Sequence, residues 1–168
     1  MINSENMMEE NDGGIKVMKR TASDNKYLHR DFHQTLNLLM DYIYENFGIN
    51  NLITYLEQFT LEYHKSLHDQ LNEGNIHALV SYLHDIYEKE EWPVVIRQGG
   101  GYVEIEQEAC PGITHIKSMG KTPCPLYVET YRTVYSTLCS DTPFEYKLDY
   151  FDDETGACKQ TFRKKGQI

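Results

Sequence analysis

Apolar positions along the first half of the chain recur at three- and four-residue steps, and along the second half they alternate. From 26 to 46, Leu28, Phe32, Leu36, Leu39, Ile43 and, just beyond, Phe47 fall on one helical face, with Ser23 or Asp24 to cap the start and Gly48 to end it. A second such stripe, Leu52, Leu56, Phe59, Tyr63, Leu67 and Leu71, predicts a helix over 51–73 that Gly74 stops. A third, Ile76, Leu79, Val80, Leu83, Ile86 and Tyr87, predicts a helix over 75–91 that Trp92-Pro93 ends. The short links at Gly48 and Gly74 favour antiparallel neighbours. After Pro93 the period changes. Segments 94–98 and 102–107 flank three glycines and read as a hairpin. A loop or single helical turn follows, with Pro111 suited to a first helical position. A fourth helix is expected over 126–138. Segment 144–151 and the segment from Cys158 read as strands around the turn Asp152-Asp153-Glu154-Thr155-Gly156.

The expected fold is therefore α+β, an N-terminal three-helix segment packed with a four-stranded antiparallel sheet built as ββαββ. Residues 1–23 read as a polar, disordered leader. Residues 24–168 read as one domain, with a helical half (24–92) and a ββαββ half (93–168). Forty per cent of the 168 residues are hydrophobic, which supplies a packed core. The formal net charge of −10 argues against nucleic acid and against an anionic membrane surface as partners, since both need clustered Lys and Arg. No segment reaches the roughly 18 apolar residues of a membrane span. Without the apolar stretch of an export signal the expected compartment is the cytoplasm, where the four cysteines stay reduced. A small-molecule substrate or ligand is the expected partner, and self-association as a homo-oligomer stays open.

Two kinds of constellation carry candidate chemistry. His29 and His33, and again His64 and His68, stand four apart, so each pair shares a helix face at the edge of the apolar stripe and could offer two imidazoles to one divalent metal such as zinc. Helix-edge histidines also serve as half-exposed packing residues, and no other pattern in the chain asks for a cofactor. The second constellation is EACPGITHIKSMGKTPCPLY. Here Cys110 precedes His115 by five residues and Cys124 by fourteen. A thiol attacks as the thiolate, and a nearby imidazole favours that form. The alternative is that Cys110 and Cys124 are small buried hydrophobes beside proline turns. Zinc shared by Cys110, Cys124, Cys139 and Cys158 is disfavoured, because no pair has CxxC spacing. Thirteen tyrosines suit the lining of a polar pocket, with Tyr102, Tyr127, Tyr131 and Tyr135 near the cysteine loop. Arg97, Lys117, Lys121 and Arg132 are cations within reach of a substrate carboxylate.

The order of these features, Cys110-Pro111 after a strand, then His115, Gly120, Cys124, a helix, and a closing Gly156-x-Cys158-x-x-x-Phe162, resembles the L-2-amino-thiazoline-4-carboxylic acid hydrolase-like family over roughly 27–164. The resemblance implies hydrolytic opening of a five-membered cyclic amidine bearing a thioether and a carboxylate, giving a carbamoyl-cysteine. Cys110, His115, Cys124 and Cys158 are the positions that match. Cys110, His115 and Cys124 are the candidate catalytic set, and Tyr127, Tyr131 and Arg132 are the candidates to hold substrate. The two HxxxH pairs are not part of the pattern. The closing motif is also similar to vinyl-reductase-type domains. That leaves two further readings, a non-catalytic small-ligand-binding or sensory module and a metal-binding helical protein.

Overall fold

The computed structural model describes residues 29–166, with side chains from 32 onward. The expected leader lies outside the described residues. Four helices come first: α1 (His29–Phe47), α2 (Ile49–Tyr63), α3 (Lys65–Asn72) and α4 (Ile76–Lys89). Strands β1 (Val95–Gly99) and β2 (Tyr102–Gln107) follow, then helices α5 (Pro111–Ser118) and α6 (Glu129–Leu138), then β3 (Phe144–Phe151) and β4 (Cys158–Lys164). The four strands form one antiparallel sheet in the order β1-β2-β4-β3. The fold is α+β, as the change of period predicts.

Three details differ from the sequence expectation, each with a local cause. The helix expected over 51–73 is bent into α2 and α3 at His64, whose backbone relaxes to φ −100°, ψ 18°. Its hydrogen-bond ladder nevertheless runs on, His64 N–H to Thr60 O and His68 N–H to His64 O, both 2.9 Å. One turn earlier the Thr60 hydroxyl bonds back to Leu56 O at 2.7 Å, a contact that bends helices. The His64 ring is wedged edge-on between Tyr63 and Tyr82, with centroids 4.9 and 5.3 Å away. The loop after β2 is a two-turn helix, α5, capped by Cys110 and started by Pro111. Helix α6 begins at Glu129, later than expected, because 125–128 is a turn.

The core has three parts. Leu67, Leu71, Leu79 and Leu83 of α3 and α4 lie on Val103, Ile105 and Phe162 of the sheet. Leu36 and Met40 of α1 meet Leu52, Leu56 and Cys124. Between these, Cys110, Ile113 and Ile116 pack with Tyr127, Tyr131 and Cys158. Gly100 and Gly101, at φ +32° and +93°, turn the β1–β2 hairpin. Along β2, Val103, Ile105 and Gln107 point into the core. Glu104 and Glu106 point outward, where Arg97 reaches both at 2.8 Å and Lys159 reaches Glu104 at 2.9 Å. Among the described residues no helix is long and apolar enough to cross a membrane.

Candidate functional site

The end of β2 and the start of α5 are tied down from four directions. Cys110 N–H donates to Thr155 O at 2.9 Å, and Trp92 Nε1 donates to Ala109 O at 2.8 Å. The Cys110 sulphur then occupies the N-cap of α5, accepting from Ile113 N–H at 3.5 Å. Two tyrosines, Tyr131 and Tyr127, pack in the same buried cluster. Cys110 is only 2% exposed. Burial pushes its thiol above the ordinary range, while the Tyr131 hydroxyl, the Ile113 and Gly112 N–H groups and the Tyr127 hydroxyl pull the other way. Burial and the neighbouring Cys110 push both phenols well up, so they remain protonated donors.

Two glycines let these groups meet. A Cβ on Gly112 would stand 2.1 Å from the Tyr127 oxygen and 2.8 Å from His33 Nδ1. The phenol and the imidazole therefore converge on one point above the first turn of α5. The other ring nitrogen, His33 Nε2, lies 2.8 Å from Glu90 Oε1. A carboxylate only accepts, so Nε2 carries the proton, and in the neutral ring Nδ1 is the basic atom facing the site. Across the sulphur, Gly156 at φ +70° brings its backbone so close that a Cβ would stand 2.3 Å from Cys110 Cβ. The Gly156 carbonyl accepts from Gln107 Nε2 at 2.9 Å. Gln107 thus belongs to the same buried group.

The structure brings together Cys110, Tyr127, Tyr131 and Cys158, and adds His33, which the sequence offered as a metal ligand. His115 is different. Five residues along α5 is about 140° round the axis, and among the described residues no hydrogen bond joins its ring to Cys110. The expected accessible thiolate paired with His115 is therefore not what is found. The thiol is buried, with phenols and backbone N–H groups as neighbours. Cys124 belongs to another cluster, with its N–H held by Asn37 Oδ1 at 2.7 Å, and burial pushes its thiol up to about 12. Arg132 pairs with Glu129 at 2.5 Å, its side chain 59% exposed. Tyr102 is exposed at the hairpin, and Tyr135 packs against the core, edge-on to Phe162 and tilted to Tyr146.

The histidine pairs do not assemble. His33 bonds Glu90, His64 packs among aromatic rings, and His68 Nε2 lies 2.9 Å from Ser140 O. The side chain of His29 lies outside the described residues. Among the described residues no group of three or more His, Cys, Asp or Glu is placed to hold a metal. The HxxxH spacing fails because the two pairs sit on helices with different neighbours, so sharing a face within one helix does not make a shared site.

Sequence reasoning missed Gln107 and Tyr87 as site residues. The first left a trace, since an amide occupies an inward position of β2 where Val103 and Ile105 set an apolar pattern. Glu90, close in sequence to Trp92, is 4% exposed. A shallow surface groove of ≈ 470 Å³ runs over Tyr87, Trp92 and Pro93, one side chain away from Gln107. No family model and no curated protein matches this chain.

Proposed function

We propose that the chain is a hydrolase-like enzyme that opens a small cyclic amidine of the thiazoline-carboxylate class to a carbamoyl-cysteine, with Cys110 as the nucleophile. The observation that supports this is the buried Cys110 sulphur at the N-cap of α5, accepting from the Ile113 N–H and clustered with Tyr127 and Tyr131, beside a His33–Glu90 pair. Donors around sulphur favour its anionic form. Beside a reacting carbon they also stabilise the negative charge that develops on addition.

In this reading the Cys110 sulphur adds to the amidine carbon, and a ring nitrogen takes up charge and a proton. The ring carbon–sulphur bond then breaks and the released sulphur is protonated. Water displaces Cys110 from the carbon, leaving its oxygen there as the carbamoyl group, and the Cys110 thiol is regenerated. His33 Nδ1, oriented by Glu90, accepts and returns protons. Tyr127 and Tyr131 hold the substrate, in the roles expected of them.

A second reading is favoured by one observation, the 2% exposure of Cys110. In a small-ligand-binding or sensory module the same donors would recognise an anionic or carbonyl group without reacting.

One assay separates the two. The protein is incubated with 2-amino-thiazoline-4-carboxylate in ¹⁸O-water, and carbamoyl-cysteine is sought by mass spectrometry. The hydrolase reading expects labelled product, none from Cys110→Ser, and a rate at least about 100-fold lower from His33→Asn. Binding by calorimetry without product supports the module, and product from Cys110→Ser removes Cys110 as nucleophile.

A further inference from the structure

Hydrogen-bond polarity around Gln107 has one solution. Its side-chain amide is 3% exposed and makes three bonds. The Gly156 carbonyl can only accept, so the group 2.9 Å from it is the NH₂, which fixes which end of the amide is nitrogen. The Gln107 oxygen then faces Tyr87, whose hydroxyl must donate to it, at 2.5 Å. The second Nε2 hydrogen points at the Tyr131 oxygen, at 2.9 Å, so that oxygen accepts. Tyr131 is left with one proton to place, and Cys110 lies in the same buried cluster, with Gly156 against its Cβ. Every proton in the run from Tyr87 through Gln107 to the Tyr131 oxygen is therefore directed.

The molecule holds a second run of the same kind. Tyr146 donates to Gln160 Oε1 at 3.0 Å, and Gln160 Nε2 donates to the sulphur of Cys158 at 3.3 Å. Gln107 and Gln160 stand on neighbouring strands, β2 and β4, with Gln107 opposite Cys158 in the register. Each buried glutamine takes a tyrosine proton on its oxygen and sends its own protons towards a sulphur. In one run a tyrosine intervenes, and in the other it does not.

We infer that Gln107 is a positioning residue, its amide locking the Tyr131 hydroxyl as a donor to the Cys110 sulphur. This rests on the reading of Cys110 as the reacting atom, but its content is the state of the sulphur before any substrate binds. With Gln107 in place Tyr131 cannot turn its proton away without leaving Nε2 unpartnered in the core, which is costly. Replacing the amide by a carboxylate reverses the run: a glutamate at 107 accepts, so Tyr131 donates to it, and the sulphur loses a donor. The titratable groups around that sulphur are Tyr87 of α4, Tyr127, which precedes α6, Tyr131 and Tyr135 of α6, and Cys158 of β4. His33 of α1 and Glu90 after α4 stand across Gly112.

The test is a titration of the full chain carrying cysteine labelled with ¹³C at Cβ, whose shift separates thiol from thiolate without needing access. The four signals are assigned by single Cys→Ser variants. Gln107→Glu and Tyr131→Phe should each raise the Cys110 midpoint by about one pH unit and leave Cys158 in place. Gln160→Leu should move Cys158 and leave Cys110 in place. Tyr131→Phe keeps the test open if Gln107→Glu fails to fold. A Cys110 midpoint that stays put in both variants overturns the inference. So does one that moves only together with Cys158, or a wild-type Cys110 that stays a thiol until alkali unfolds the chain. The titration involves no substrate, so missing turnover in the assay above would remove the hydrolase reading and leave this result standing.

Discussion

The chain contains two Cys-Pro dipeptides, Cys110-Pro111 and Cys124-Pro125, and the fold gives them different surroundings. At Cys110 the sulphur accepts from the Ile113 N–H and sits with Tyr127 and Tyr131. At Cys124 burial pushes the thiol up to about 12, the Leu126 N–H pulls the other way, and the Asp41 and Glu45 carboxylates push it up again. Cys110 caps a helix. Cys124 lies in the apolar layer of Leu36, Met40, Leu52 and Leu56 before a turn, its backbone pinned by Asn37. The lesson is that a reactive cysteine is defined by the direction of the hydrogen bonds around it, and a dipeptide motif does not carry that direction.

The largest effect that would sharpen this contrast is steric. Gly156→Ala puts a Cβ 2.3 Å from Cys110 Cβ and 2.9 Å from Ile113 Cδ1, at a φ of +70° that side chains rarely adopt. Strain of roughly 1–2 kcal/mol and overpacking of about 1–3 kcal/mol should together cost about 3 kcal/mol in urea unfolding. Gly74→Ala is the control. It has a similar φ of +87° but open space around its Cβ, so it should show the strain part alone, about 1 kcal/mol. Equal losses at the two glycines would mean that Gly156 is needed only for its turn and that its packing on Cys110 is incidental.

Much of the fold was legible because periodicity survives in single residues. The stripe through Leu79, Leu83 and Tyr87 predicted the buried face of α4, and the alternation of Val103 and Ile105 predicted the inner face of β2. The bend at His64 was not read from the sequence, although Thr60, whose hydroxyl bonds back to Leu56 O one turn earlier, is a local signal for it. The site was half legible. Cys110, Tyr127 and Tyr131 were found because cysteine and tyrosine near prolines stand out. His33 was noticed as a metal ligand, and its bond to Glu90, 57 residues away in the chain, is a product of the tertiary fold. Spacing along a helix says which residues share a face and is silent about what that face meets.

A smaller effect tests the polarity of the two sulphurs through stability. Serine keeps an acceptor for the donors around Cys110, and a hydroxyl is a favoured N-cap, so Cys110→Ser should cost under about 1 kcal/mol. Cys110→Ala leaves buried donors unpartnered and should cost about 2 kcal/mol more than serine. At Cys124 the partner is Asp41, which water can also reach. There the serine and alanine variants should differ by less than about 0.5 kcal/mol. Chemical denaturation of the four variants checks this. A serine–alanine gap of the same size at both positions would mean that the donors around Cys110 contribute nothing, and the contrast between the dipeptides would collapse.

The smallest effect is a local response to acid. Asp152 Oδ1 accepts from the Thr155 hydroxyl and N–H, both at 2.7 Å, and from Glu154 N–H at 3.1 Å. These bonds hold its carboxyl below the ordinary value of 3.8. They also shape the turn that presents Thr155 O to the Cys110 N–H and Gly156 O to Gln107. A group whose folded pKa is depressed stabilises fully above its unfolded pKa and loses that contribution as the pH falls through the folded one. The turn should therefore be intact above about pH 4 and loosen below it. Asp152 is only partly buried at the turn, so the change in global stability will be slight. Amide exchange reads it locally. Corrected for intrinsic rates, exchange at the Cys110 N–H should speed up as the pH drops below about 4, while the Cys124 N–H, held by the uncharged Asn37 amide, should not change in step. Asp152→Asn keeps an acceptor oxygen without the charge, so it should abolish the pH dependence at Cys110. Parallel acceleration at both amides would show a global loosening, and the turn would then not be what ties the Cys110 end down.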